Sequence, residues 1–222
     1  MRGCVVQYTP TPLPVSAPLH GGIAFIDRDG VLNIGSSEYI NQPSEFISLP
    51  NAAKSIGMLR RAGYRICIVT NQSPIMRGLW DEHRLHEIHN HMRNVFQKLD
   101  DDAVFDMILA CPHRHRDRCM CRKPMPGMLR FGEKVLRGEL QCVTGESLAE
   151  LSEKDGQVDW WSEKPLPPHS FDCMVGDRGS DMGAGWAQGL RLFQVDDSKG
   201  IFPVVERILD SENKGDVFHP VR

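Results

Sequence analysis

The sequence predicts an α/β fold in which a parallel sheet carries helices on both faces. Two observations predict it. Between residues 21 and 137, short apolar runs alternate with amphipathic helical stretches, the order that builds βαβ units. Three apolar runs, Ile23-Ala-Phe-Ile26, Ile66-Cys-Ile-Val69 and Cys173-Met-Val-Gly176, break directly into polar residues. In a parallel sheet the carboxyl ends of the strands share one edge, and ligands bind in the crevice outside that edge.

Each element follows in order. Residues 1–20 read as a tail, because Thr9-Pro-Thr-Pro-Leu-Pro-Val-Ser-Ala-Pro18 should be extended and poorly packed. The first strand is 23–26. Asn51 can cap a helix to about residue 62, with Ala52, Ile56 and Leu59 on one face. Gly63 ends it and the 66–70 strand follows. Asp81 can cap a second helix to about Leu99, striped by Leu85, Ile88, Met92, Val95, Phe96 and Leu99. Its histidines, His83, His86, His89 and His91, read as a solvated face. Residues 104–110 are the next strand. Residues 138–170 are polar, then rich in Trp and Pro, and read as a loop-rich insertion that Trp160 and Trp161 pack onto the body. Residues 21–222 otherwise form a single domain.

Composition narrows the function. The 222 residues suffice for one good core but not two large domains. A net charge of −3 argues against a general nucleic-acid or anionic-membrane binder. No apolar run approaches the ~20 residues of a spanning helix. The start of the chain lacks the apolar stretch of a secretory signal. The expectation is a cytoplasmic monomer acting on a small molecule.

The chemistry-bearing residues gather at the expected sheet edge. Asp27 and Asp29 stand one residue apart where the first strand breaks at Gly30. Two anions that close need a cation or a shared proton, and a hard divalent ion such as Mg²⁺ prefers oxygen ligands. Thr70 ends the second run, Asp177 the third, and Lys123 precedes a proline where a helix can begin. Acids for a metal, a hydroxyl for anionic oxygens and a lysine for charge make a phosphoryl-transfer constellation. Arg28, between the acids, is expected to point away from the pocket. Asp181 is expected to tie down the loop after Asp177 rather than to ligate metal.

Seven cysteines occur. Cys67 and Cys173, inside apolar runs, read as small buried hydrophobes. Cys111-Pro-His113 and Cys119-Met-Cys121 supply three thiolates and an imidazole, a complete tetrahedral set for Zn²⁺, with His115 as a rival to His113. A set without a vacancy suits a structural ion. Fixing Cys121 would fix where Arg122 and Lys123 point, which removes an ordering cost at the phosphate site.

Asp27-Arg-Asp-Gly-Val, Thr70-Asn-Gln-Ser, the Cys/His loop, Arg122-Lys-Pro and Gly176-Asp-Arg-x-x-Asp181 stand in the order seen in the haloacid-dehalogenase (HAD) superfamily of phosphatases. More narrowly, they resemble its zinc-containing branch, which holds the heptose-bisphosphate and histidinol-phosphate phosphatases. The resemblance implies a Rossmann-like sheet and a Mg²⁺-dependent phosphomonoesterase. It implies Asp27 as the nucleophile that becomes an aspartyl-phosphate and Asp29 as the acid, then base. Thr70 and Lys123 would hold the phosphoryl group. Mg²⁺ would take the Asp27 carboxylate, the Asp29 carbonyl and Asp177, and Zn²⁺ would take Cys111, His113, Cys119 and Cys121. Asn71, Arg122 and Arg178 would face substrate, and Glu38 and Tyr39 fall where the heptose branch contacts it. Short connections after Asp29 and Ser73 leave no room for a cap domain, so the site should be open. A sugar bisphosphate is the favoured substrate and histidinol phosphate the alternative. An inactive zinc-stabilised scaffold is the reading of another class, separable by Mg²⁺-dependent phosphate release.

Overall fold

The computed structural model describes residues 3–221, so the first two residues of the expected tail lie outside the described residues. Seven strands form one sheet. They are β1 (Cys4–Tyr8), β2 (Ile23–Ile26), β3 (Arg65–Asn71), β4 (Met107–Cys111), β5 (Gly145–Ala149), β6 (Cys173–Gly176) and β7 (Arg191–Gln194). The order is β5-β1-β4-β3-β2-β6-β7. From β4 to β7 every neighbouring pair is parallel. β1 runs antiparallel to both β4 and β5.

Helices α1 (Ala52–Arg61), α2 (Pro74–Arg77), α3 (Glu82–Leu99), α4 (Gly127–Leu136), α5 (Glu153–Gly156) and α6 (Gly179–Ala187) lie in the connections between these strands, and α7 (Val205–Leu209) follows β7. The Asp81 carboxylate accepts from the Arg84 amide, which caps α3 as its sequence predicts. Alternating strand residues feed two cores. Ala24, Ile26, Ile66 and Ile68 pack with Ile56, Leu59, Ile88, Met92 and Phe96 from α1 and α3. Ile23, Phe25, Cys67 and Val69 pack with Met128, Leu129, Met182 and Trp186 from α4 and α6. Each such large side chain, fully buried, contributes about 1.5–3 kcal/mol.

Two sequence expectations are corrected here. The segment expected to be a loose tail supplies β1, whose Cys4, Val5 and Val6 are buried. The Pro-rich stretch behind it is nailed down: Arg60 Nη2 donates to the carbonyls of Thr11 and Pro12, and Arg65 Nη1 to that of Thr11. The segment expected to be a loop-rich insertion supplies β5, which extends the sheet beyond β1. The sheet is therefore mixed at one edge. Among the described residues no helix is long and apolar enough to cross a membrane.

Candidate active site

Register explains why distant residues meet. Ile26 of β2 lies beside Ile68 of β3 and Val175 of β6, and Thr70 lies beside Ala110 of β4. Asp27, Thr70, Asn71 and Asp177 thus leave the sheet at one edge, as parallel strands require.

Lys123 Nζ sits 2.8 Å from Asp27 Oδ1, 2.7 Å from Asp181 Oδ1 and 2.6 Å from the Val69 carbonyl it donates to. Carboxylate oxygens of Asp27, Asp177 and Asp181 all lie within 4.8 Å of one another. Burial, with the Asp181 charge second, pushes the Asp27 carboxyl up to about 7 against the pull of Lys123. Burial also raises Asp177. Burial draws Lys123 down, but the Asp181 and Asp27 charges outweigh it and leave its affinity for a proton raised.

Lys123, with Arg178 Nε 3.5 Å from Asp177 Oδ2, still leaves the three acids with net negative charge, so the cluster suits a divalent cation. A second observation fits that group. Asp177 Oδ1 is buried without a hydrogen-bond partner among the described residues. Gly30, at φ +78°, passes so close that a Cβ there would lie 2.8 Å from Asp177 Oδ2. Only glycine tolerates both the backbone conformation and the approach.

Asp29 lives in a different environment. Arg28 Nη2 donates to both its oxygens at 2.8 and 3.0 Å, Asn33 Nδ2 to one at 3.0 Å and Gln72 Nε2 to the other at 3.0 Å. Burial alone would raise its pKa, but the Arg28 charge and these donors hold it below the usual carboxylate range. Gln72 Nε2 also donates to Thr70 Oγ1 at 2.8 Å.

The second cluster lies behind Lys123. Sγ of Cys111, Cys119 and Cys121 and Nδ1 of His113 stand 3.2–3.5 Å apart. These near-equal separations are those of four ligands facing one centre, and the atoms are too far apart for disulfides. The cluster could hold a metal ion. Asn71 couples it to the first site, donating to the Lys123 carbonyl at 3.2 Å and accepting from the Lys123 amide at 3.1 Å.

Residues 23–148 match the family described as polynucleotide kinase 3 phosphatase. A D-glycero-β-D-manno-heptose-1,7-bisphosphate 7-phosphatase from Bordetella bronchiseptica is 40% identical over 131 residues, 58% of this chain and 72% of that protein. The chain belongs to this phosphatase family. The Pseudomonas aeruginosa enzyme of the same name is 39% identical over 49% of this chain, but the match spans only 60% of that enzyme's length. The B. bronchiseptica heptose-bisphosphate phosphatase, solved with magnesium and phosphate, superposes with a TM-score of 0.63 at 26% identity, covering 85% of this chain and 98% of that one. A HAD-like phosphatase structure from Mesorhizobium loti gives 0.67 at 23% identity over 98% of this chain and 97% of that one, a likeness of fold.

In this HAD-type phosphatase, a phosphoric monoester hydrolase, the acids open into a cavity of about 780 Å³. Tyr39, Thr70, Asn71, Arg122, Lys123 and Arg178 line it. Glu38 does not; it lies with Asn41 and Glu45 in a neighbouring hollow. His115 lines the cavity and is outside the Cys/His cluster.

Two further expectations fail, those for Arg28 and His89. Arg28 does not point away but clamps Asp29, because a buried guanidinium needs an anion. His89, read as solvated, is buried, where the helix turns its apolar stripe inward. Asp181 does accept from the Arg178 amide, tying the loop, yet it also joins the acid cluster. Sequence reasoning missed Gln72, Asn33 and Arg77. The signal for Gln72 was its place between Thr70 and Ser73, and that for Arg77 its place before Gly78, just after the Thr70-Asn-Gln-Ser motif; Asn33 carried none. Trp160 stacks on Trp186 at 6.0 Å, while Trp161 is exposed, and both reach the cavity mouth.

Proposed function

We propose that this phosphatase removes the 7-phosphate of a D-glycero-D-manno-heptose 1,7-bisphosphate through an aspartyl-phosphate on Asp27. The observation that carries the reading is the buried Asp27–Lys123–Asp181 array beside Asp177, in a cavity also lined by Arg77, Arg122 and Arg178. The names of the relatives supply the sugar.

An Asp27 oxygen attacks phosphorus and the bond to the sugar oxygen breaks. Asp29 gives that oxygen its proton. It then takes a proton from water as the water attacks phosphorus, which frees phosphate and restores the Asp27 carboxylate. Arg28 disfavours a proton on Asp29, but an arriving phosphate adds anionic charge beside it and raises its affinity for one. Thr70 and Lys123 hold the equatorial oxygens. Asp27, Asp177 and the Asp29 carbonyl would hold Mg²⁺, which supplies charge neutralisation at the phosphoryl group. Cys111, His113, Cys119 and Cys121 would hold a structural Zn²⁺. Arg77, Arg122 and Arg178 are placed for the second phosphate.

The test compares kcat/KM for both anomers of the heptose bisphosphate, histidinol phosphate and a 3′-phosphorylated oligonucleotide. A heptose anomer leading by tenfold or more supports the reading. Preference for either of the other two overturns the substrate.

A further inference from the structure

Asp29 is aimed by a line of side chains that runs away from the cavity. Arg28 holds the Asp29 oxygens through Nη2 and Nε. Its remaining nitrogen, Nη1, lies 3.3 Å from His89 Nε2 on α3. The other ring nitrogen, His89 Nδ1, lies 2.7 Å from Gln7 Oε1 on β1. A guanidinium can only donate, so Nε2 is the acceptor and Nδ1 carries the hydrogen that goes to the amide oxygen. Gln7 Nε2 faces the opposite way, 3.4 Å from Glu146 Oε1 on β5, which fixes the amide's orientation. Glu146 Oε2 in turn lies 2.6 Å from His86 Nδ1. Gln7, Arg28 and His89 are all buried. Burial first, and then the Arg28 charge, push His89 well below its ordinary pKa, so the ring is neutral.

We propose that His89, held by Gln7, is a positioning residue that fixes the Arg28 guanidinium and through it the direction of the Asp29 carboxylate. The proposal rests on the acid–base role given to Asp29 above. The reason is geometric. A general acid must stand within hydrogen-bond reach of the leaving oxygen, and a long cation tethered at one fork alone swings. His89 closes the second fork. Neither His89 nor Gln7 lines the cavity, so their loss should leave substrate binding nearly unchanged. Gln7 lies on β1, outside the 23–148 stretch that matches the family.

The experiment reads leaving-group dependence. Release of the alcohol is followed in a single turnover, enzyme in excess, for an alkyl phosphate and for 4-nitrophenyl phosphate. The alkyl ester needs its leaving oxygen protonated and the nitrophenyl ester does not. His89→Leu should slow the alkyl ester about tenfold more than the aryl ester, with KM changed less than twofold. Gln7→Leu should shift the ratio the same way by less. His89→Gln, whose amide oxygen can still accept from Arg28, should regain most of it. The ratio of the two rates does not depend on how much protein is folded, and if His89→Leu is insoluble the Gln7→Leu ratio decides. Equal slowing of both esters, or a change confined to KM, overturns the proposal. Asp29→Asn is the reference. If it too lacks the bias, the acid–base role of Asp29 falls; a bias there that His89→Leu lacks sinks the relay alone.

Discussion

Lys123 carries the electrostatics of the site, because it is the cation in direct contact with two buried acids, Asp27 and Asp181. That arrangement tolerates loss of an acid better than loss of the lysine. Asp27→Asn should therefore fold, keep its Tm within a few degrees and match the unaltered protein in metal content, yet release no phosphate from any ester. Metal analysis and a malachite-green assay check both halves; measurable turnover would remove Asp27 from the nucleophile role. Lys123→Met leaves two buried carboxylates facing each other without their cation. Loss of one partner of a buried ion pair costs about 3–5 kcal/mol, so a lower denaturation midpoint should accompany loss of activity. These residues were legible in the sequence because Asp27 ends an apolar run, Lys123 precedes a proline and Asp181 closes the polar stretch after the 173–176 run. The grip of Arg28 on Asp29 was not, because its second partner, His89, comes from α3 and only the packed fold brings it there.

At the scale of elements, the Cys/His loop and the two added strands behave differently. The loop joins β4 to Lys123, and Cys111 pairs with Asn71 across the β3–β4 ladder. Cys119→Ser should lose metal and activity together, and chelation of the unaltered protein should do the same; an active variant without metal would show that the loop needs no ion. Trp161, exposed at the cavity mouth, should contribute to binding and not to folding. Trp161→Ala is expected to raise KM for the sugar bisphosphate severalfold, with stability changed by less than about 0.5 kcal/mol. β2, β3, β4 and β6 were readable as apolar runs. β1 was hidden by the prolines behind it. β5 was hidden because Glu146 and Leu148 are exposed, as they are on an outer strand, so Gly145-Glu-Ser-Leu-Ala149 lacks a continuous apolar signal.

Across the whole molecule, one buried acid ties the Pro-rich stretch to the sheet. Asp106 takes Arg60 Nη1 at 2.7 Å, Arg65 Nη1 at 2.9 Å and the Ile66 amide at 2.8 Å. Arg60 and Arg65 then hold the Thr11 carbonyl. Asp106→Ala strands the buried Arg60 and should cost about 3–5 kcal/mol, a fall in Tm on the order of 10 °C by thermal scan; a shift of a degree or two would show the knot to be ornamental. No sequence pattern announces this knot, since Arg60, Arg65 and Ile66 lie 46, 41 and 40 residues from Asp106 along the chain. Asn71 offers a different kind of link, with its amide clasping the Lys123 backbone on both sides. Whatever factor an ion at the cysteines adds to the grip on phosphate, phosphate must return to the ion in equal measure. Inorganic phosphate should therefore shield that ion from a chelator, and a phosphate-starved preparation should shed it soonest.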